Sequence, residues 1–288
     1  MKILRVNLSN FNKIYILLLF CVTHISVAQE TEKRYLDTSF WTIWNVDYQL
    51  NNGDSVFFEG NTRSSNFDSY IVDGLKMNRA HVMLGYAHKL TPKLYIGASI
   101  RSVFEPNWNV WYYRGFLQHN GQIGGLLDFQ KRLQYEYISP NEIEDKPGDR
   151  SDFGRFGFWA MLGKSFPIGN AKFRGEFSYE IFVHTNDEST EERLVDLSRL
   201  RIDFYYLLNE NIRIGAFAMR DTQFFFAPAT LPSYDEDGNI VQPAKPERNL
   251  NLITPVYGLT FKYSFRTKED CNCPGEGREK RRKKLMKK

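Results

Sequence analysis

Charges of both signs recur at even spacing in several stretches of this chain, and they are the residues whose types and spacing invite chemistry. Asp128, Arg132 and Glu136 share one parity, as do Arg174, Glu176 and Glu180. Arg199, Arg201 and Asp203 repeat the arrangement. On an extended strand, side chains an even number of residues apart point the same way, so each trio lies on one face. Facing strands of this kind form ion pairs. Glu176 and Glu180 are expected beside Arg199 and Arg201, because one connection joins their strands. Acid–base or nucleophilic catalysis asks for more than charge. His81, His88, His119 and His184 follow the leader, and none stands in a metal-ligand spacing or beside a Gly-x-Ser-x-Gly elbow. His81 and His119 are candidates to face a lumen. The glycines at 121–125 are followed by no Lys-Ser/Thr pair and read as a turn rather than a phosphate cradle. Cys271 and Cys273 are too few for a closed zinc site. No catalytic, cofactor-binding or metal residue is therefore expected.

The elements that must hold these charges are strands. At 126–137, Leu127, Phe129, Leu133, Tyr135 and Tyr137 alternate with Asp128, Gln130, Arg132, Gln134 and Glu136. Only Lys131 breaks the apolar face. The same alternation runs through 80–90, 94–101, 155–166, 171–183, 199–207 and 212–219. Further strands fit at 40–50, 56–63 and 114–122, and the last is at 256–265. There Tyr257, Leu259, Phe261, Tyr263 and Phe265 form the apolar stripe. Short connections rich in Asn, Gly and Pro alternate with long polar ones at 64–74, 105–113, 139–152, 184–192 and 221–248. The aromatic run at 105–113 reads as a girdle around Trp108 and Trp111, or as a stacking platform for a ligand outside.

Both ends differ from the body. Lys2, Arg5 and Lys13 precede an apolar run at 14–22, and Ser26-Val27-Ala28 offers a cleavage site, so residues 1–28 read as a secretory leader. Residues 267–288 are polar and basic and are expected to be a disordered tail on the periplasmic side. The chain's formal charge of +4 comes from these net-positive ends, because between them acids outnumber bases. The body is thus no nucleic-acid binder.

Alternation alone fits two architectures: a secreted β-sandwich with its apolar faces inside, or a barrel with those faces in lipid. Three features favour the barrel. The apolar faces mix aromatics with Ala and Gly, the opposite faces are densely charged, and the final strand closes on Phe265. Eleven strands are visible, where an even number is expected. Either 32–39 adds one, or 221–248 hides one, or the N-terminus threads the lumen. The expectation is an all-β, antiparallel up-and-down transmembrane barrel of about twelve strands, ten to twelve, over residues 29–266.

The final strand resembles the C-terminal insertion signal of Gram-negative outer-membrane barrels, although here residues 266–288 follow it. The segments 40–63, 79–101, 128–137 and 199–217 resemble a family labelled only as a domain of unknown function, numbered twenty-four ninety. That resemblance implies the cell outer membrane and no known activity. The partners it implies are outer-membrane lipid and the barrel-assembly machinery; the basic tail adds a periplasmic partner, and no nucleic acid is expected. Two readings of the charged faces stay open: a salt-bridged filling of a narrow structural or assembly barrel, or a charged, selective transport passage. The alternatives to both are a barrel enzyme acting on lipid or glycan at the outer rim, and the soluble sandwich.

Overall fold

The computed structural model describes residues 31–65, 71–72, 75–105, 108–142, 152–185, 194–234 and 240–266. The leader at 1–28 and the tail at 267–288, with Cys271 and Cys273, lie outside the described residues. Fifteen strands are described: β1 (Thr31–Tyr35), β2 (Ser39–Gln49), β3 (Ser55–Ser65), β4 (Ile71–Val72), β5 (Leu75–Thr91), β6 (Leu94–Phe104), β7 (Trp108–Ile123), β8 (Leu127–Glu142), β9 (Phe153–Ile168), β10 (Ala171–His184), β11 (Val195–Leu207), β12 (Ile212–Ala227), β13 (Ser233–Tyr234), β14 (Ile240–Gln242) and β15 (Arg248–Arg266). Neighbours in sequence pair antiparallel from β2 round to β12, with β4 attached only to β5, and β12 pairs with β15. β15 then pairs with β2, so eleven strands close a wall. Closure satisfies every strand edge within the sheet, the condition for strands to cross hydrocarbon.

Eleven is odd, so the seam must be parallel, and it is: Ser39 to Gln49 pair in register with Val256 to Arg266. β1 falls in the predicted extra-strand segment but adds no twelfth place in the wall. It continues the line of β2, pairing parallel with Asn249 to Ile253 of the same strand β15. Among its described residues the connection after β12 holds the small β13–β14 hairpin and a Thr230–Lys245 bridge. Thr31 and Arg266, the first and last described residues, therefore lie at opposite rims.

One rim is tight. Gly124 and Gly125 both take positive φ (61° and 69°) in the β7–β8 turn, a conformation that side-chain-bearing residues avoid. The Asn209 side chain accepts from the amides of Asn211 and Ile212, and Thr91 Oγ1 accepts from those of Lys93 and Leu94. Asp54 pins the β2–β3 turn to the end of β5. Its carboxylate accepts from the Lys89 amide at 2.8 Å, the Tyr86 hydroxyl at 2.5 Å and the Asn52 amide group at 2.7 Å. His88 Nδ1 lies 3.1 Å away. These contacts, the Lys89 amide first, hold the Asp54 carboxyl well below the usual carboxylate range.

The other rim carries the longer connections, with corrections: β8 runs on to Glu142 and β12 to Ala227, into the segments expected as loops. The aromatic run at 105–113 is not a loop: strand β7 begins at Trp108. Val110 and Tyr112 point inward and are buried, while Tyr113 points out, so the alternation already belongs to the wall.

The sheet has the inverse of a soluble protein's faces. Leu84, Ile202 and Trp44 are 54%, 58% and 55% exposed, whereas Glu136 and Asp203 are 0% and 4% exposed. A single closed layer with apolar side chains outward overturns the sandwich alternative. Aromatics gather in two outer bands. Phe166, Phe173, Phe204 and Tyr206 stack near the tight rim, with Tyr48 against Phe265 on the seam. Tyr113–Tyr137 and Tyr135–Phe156 pair toward the long-loop rim. Such girdles suit the two interfaces of a bilayer. Inside, two apolar clusters line the wall: Trp41, Ile43, Phe217, Met219 and Val256 at the seam, and Val103, Val110, Tyr112 and Ile138 opposite.

Candidate functional site

The lumen is a string of three cavities. At the tight rim a space of about 430 Å³ is bordered by Asp47, Gln118, Asn120 and Gln130. A middle chamber of about 300 Å³ shares Asn45, Glu59, Met83 and Arg132 with it. A third, of about 210 Å³, lies toward the long loops and shares Arg63, His81, Arg101 and Arg199 with the middle one.

All nine predicted charges face inward, but they fall into separate groups. Near the tight rim Arg174 bridges Asp128 at 2.5 Å and Glu176 at 2.6 Å, and Lys262 stands 3.6 Å from Glu176. In the middle, Glu180 meets Arg199 at 3.4 Å and Arg132 at 3.8 Å. Arg201 turns to Asp203 on its own strand at 2.5 Å and donates to Thr260 Oγ1 at 3.2 Å. The expected pairing of Glu176 with Arg199 or Arg201 does not form. The β10–β11 register sets Glu180 opposite Arg199, but Ser178 opposite Arg201 and Glu176 opposite Asp203. Each displaced charge therefore takes a partner two residues along its own strand.

Glu136 forms the tightest group, and sequence reading found only one member of it. Its Oε1 accepts from Arg114 (Nε 2.8 Å, Nη2 2.7 Å), and its Oε2 accepts both Arg155 Nε at 2.9 Å and Nη2 at 2.7 Å. Arg101 stands further off at 3.7 Å. Three guanidinium groups thus surround one wholly buried carboxylate. Each arginine closes two nitrogens on one carboxylate oxygen, so both oxygens are satisfied, which is what makes a buried pair favourable.

Arg63 and Arg79, also missed from sequence, stand directly opposite each other on β3 and β5. Arg79 is 2.9 Å from Glu105. The Arg63 guanidinium carbon sits over Trp41, 3.7 Å from the ring centroid, and its Nε donates to Asn61 Oδ1 at 3.3 Å. Among the described residues no carboxylate lies within ion-pair range of Arg63. For Arg101 and Arg155 the signal was parity, since they alternate with the outward Ile100 and Phe156 in strands already recognised; Arg63 stands between Thr62 and Ser64, and Arg79 just precedes the strand recognised at 80–90.

The histidines divide. His81 is inward and 2.9 Å from Glu59, and His184 is 3.0 Å from Asp196. His119 was a lumen candidate. It shares its parity with the outward Leu117 and pairs across with the exposed Lys131, so it belongs to the outer face. No group of three or more His, Cys, Asp or Glu able to hold a metal occurs among the described residues. Tyr257, Leu259 and Phe265 point outward on β15, with Tyr263 edge-on to Phe265 at 4.2 Å and Phe261 6.2 Å from Trp44.

No curated protein matches the chain. A solved structure described as "NanC porin structure in rhombohedral crystal form" is similar in fold, with a TM-score of 0.42 at 16% identity over 79% of this chain and 99% of that one. A family model described as "Protein of unknown function (DUF2490)" matches residues 38–231, most of the wall. This closed β-barrel, with its charged interior and apolar outer face, belongs to that family.

Proposed function

We propose that the protein is a narrow outer-membrane barrel that passes small hydrophilic solutes and performs no catalysis. The observation that carries this reading is the succession of three cavities between the rims, each sharing wall residues with the next. Eight-stranded barrels are filled by side chains, and porins of sixteen or more strands hold open channels. Eleven strands fall between, and small chambers separated by charged necks are the expected result. On this reading the outer apolar band contacts lipid, and the assembly machinery engages the stripe from Tyr257 to Phe265 during insertion. The basic tail at 267–288 hangs in the periplasm, where its charge suits an acidic partner.

The test is single-channel recording with the purified full chain in planar bilayers. Small, discrete unitary currents from a barrel that shows a heat-modifiable gel shift support the reading. A correctly folded barrel that inserts and carries no current overturns it.

A further inference from the structure

The wall around the third cavity carries more cation than its carboxylates neutralise. Arg63, Arg79, Arg101, Arg155 and Arg199 border it, against Asp196 and Asp221. Behind it, Glu136 is already saturated by Arg114 and Arg155, which leaves Arg101 at 3.7 Å. The buried Arg101 Nε and Arg132 Nε have no acceptor among the described residues. Among the described residues Arg63 has no carboxylate within ion-pair range, since Asp221 is taken by Arg199. Two like charges directly across a strand pair, such as Arg63 and Arg79, destabilise a sheet. A buried cation without a partner costs more still. The neighbouring groups are fixed: Trp41 lies under Arg63, and Tyr112 lies under Arg101 at 4.0 Å and within 3.4 Å of Arg79. The Arg63 and Arg101 forks are thus held in place, Arg101 with its Nε unpaired, and Arg199 beside them is shared between Glu180 and Asp221 at 3.4 Å each.

We propose that Arg63, Arg101 and Arg199, at the neck between the second and third cavities, form a binding site for a small oxyanion, a carboxylate or a phosphate. A guanidinium fork matches two oxygens of such a group, and a compact ammonium would not. A volume of about 210 Å³ suits an anion of that size and is below the range of drug-sized ligands. The site deepens the passage reading, for it makes the neck anion-selective, and it rests on that reading only for its physiological role.

The experiment separates the two. Titration calorimetry on the full-length barrel in detergent uses inorganic phosphate, acetate and chloride as probes, and bilayer recordings use the same protein. Saturable binding of phosphate or acetate, weakened about tenfold or more by Arg63→Gln, supports the site, and the stronger of the two probes names its class. Arg63→Lys should recover little of the loss, since it keeps the charge and loses the fork. The gel shift reports whether each variant folds. Binding without current keeps the site and removes the passage. Current with cation selectivity and no oxyanion binding removes the site and keeps the passage. Equal affinity for all three probes, unchanged in Arg63→Gln, also overturns the proposal.

Discussion

Two sides of the same lumen solve the problem of buried arginine differently. On the wall of β6 to β9, Arg114 and Arg155 close on Glu136 with hydrogen bonds of 2.7–2.9 Å, and ion pairs across the strands add to their backbone pairing. At the seam, Arg63 rests on Trp41 with no carboxylate, and what holds β2 to β15 is backbone pairing and close apolar packing. The first arrangement is complete in itself. The second is not, and the incomplete one borders the neck between cavities. An interior dense in charge is thus both scaffold and site, and satisfied hydrogen bonds tell the two apart.

The largest effect should come from the satisfied side. Glu136→Gln leaves three arginines around a neutral amide, and breaking a buried pair in this way costs about 3–5 kcal/mol. The unfolding midpoint in urea, read by the heat-modifiable gel shift, should fall accordingly. A change under ~1 kcal/mol would erase the contrast between the two sides.

The seam should answer to volume instead. A Cβ at Gly258 would meet the Trp41 carbonyl oxygen and the Phe217 ring. Gly258→Ala should therefore cost about 1–3 kcal/mol by overpacking. A neutral result in the same unfolding assay would mean that the parallel pair tolerates separation. Arg63→Gln should change stability by less than about 1 kcal/mol, because the lost stacking on Trp41 is offset by relief of the clash with Arg79. A loss as large as that of Glu136→Gln would make Arg63 a scaffold residue.

The smallest effect belongs to Asp54, which pins the seam-side turn through hydrogen bonds. Its carboxyl is depressed in the folded state, so its contribution is present above the ordinary carboxylate range near pH 4 and fades as pH falls toward the folded value. The wild type should lose more unfolding midpoint between pH 7 and pH 3 than Asp54→Asn. Identical losses would show that the pin contributes nothing.

Much of the wall was legible, because lipid on one side and water on the other impose a period of two that 256–265 displays without interruption and 126–137 with Lys131 as its single break. The site was legible in part. The inward parity of Glu136 and Arg199 followed from alternation, but their partners depend on register and on strands two places away. The β10–β11 register that sets Ser178 against Arg201, even up to its shift at Phe182–Val183, is not written in local spacing. Trp41 and Phe217 were hidden for a different reason. A narrow barrel packs apolar side chains against its own inner wall, so an inward aromatic looks like an outward one. The parallel seam was constrained only by the odd strand count. Turn-like residues at 105–107 drew attention from the alternation that continues immediately after them.

The account rests on lipid against the outer stripe and water against the inner one, and cysteine accessibility measures this most directly. With Cys271 and Cys273 replaced by serine, single cysteines at Leu84 and Ile202 are compared with ones at Asn61 and Ser178, in vesicles. The outer pair should resist a water-soluble maleimide, and fluorophores attached there before reconstitution should be quenched by a bilayer-borne quencher. The inner pair should react from water and escape that quencher. Ready labelling of Leu84 and Ile202 from water, with no quenching from the bilayer, would contradict the account.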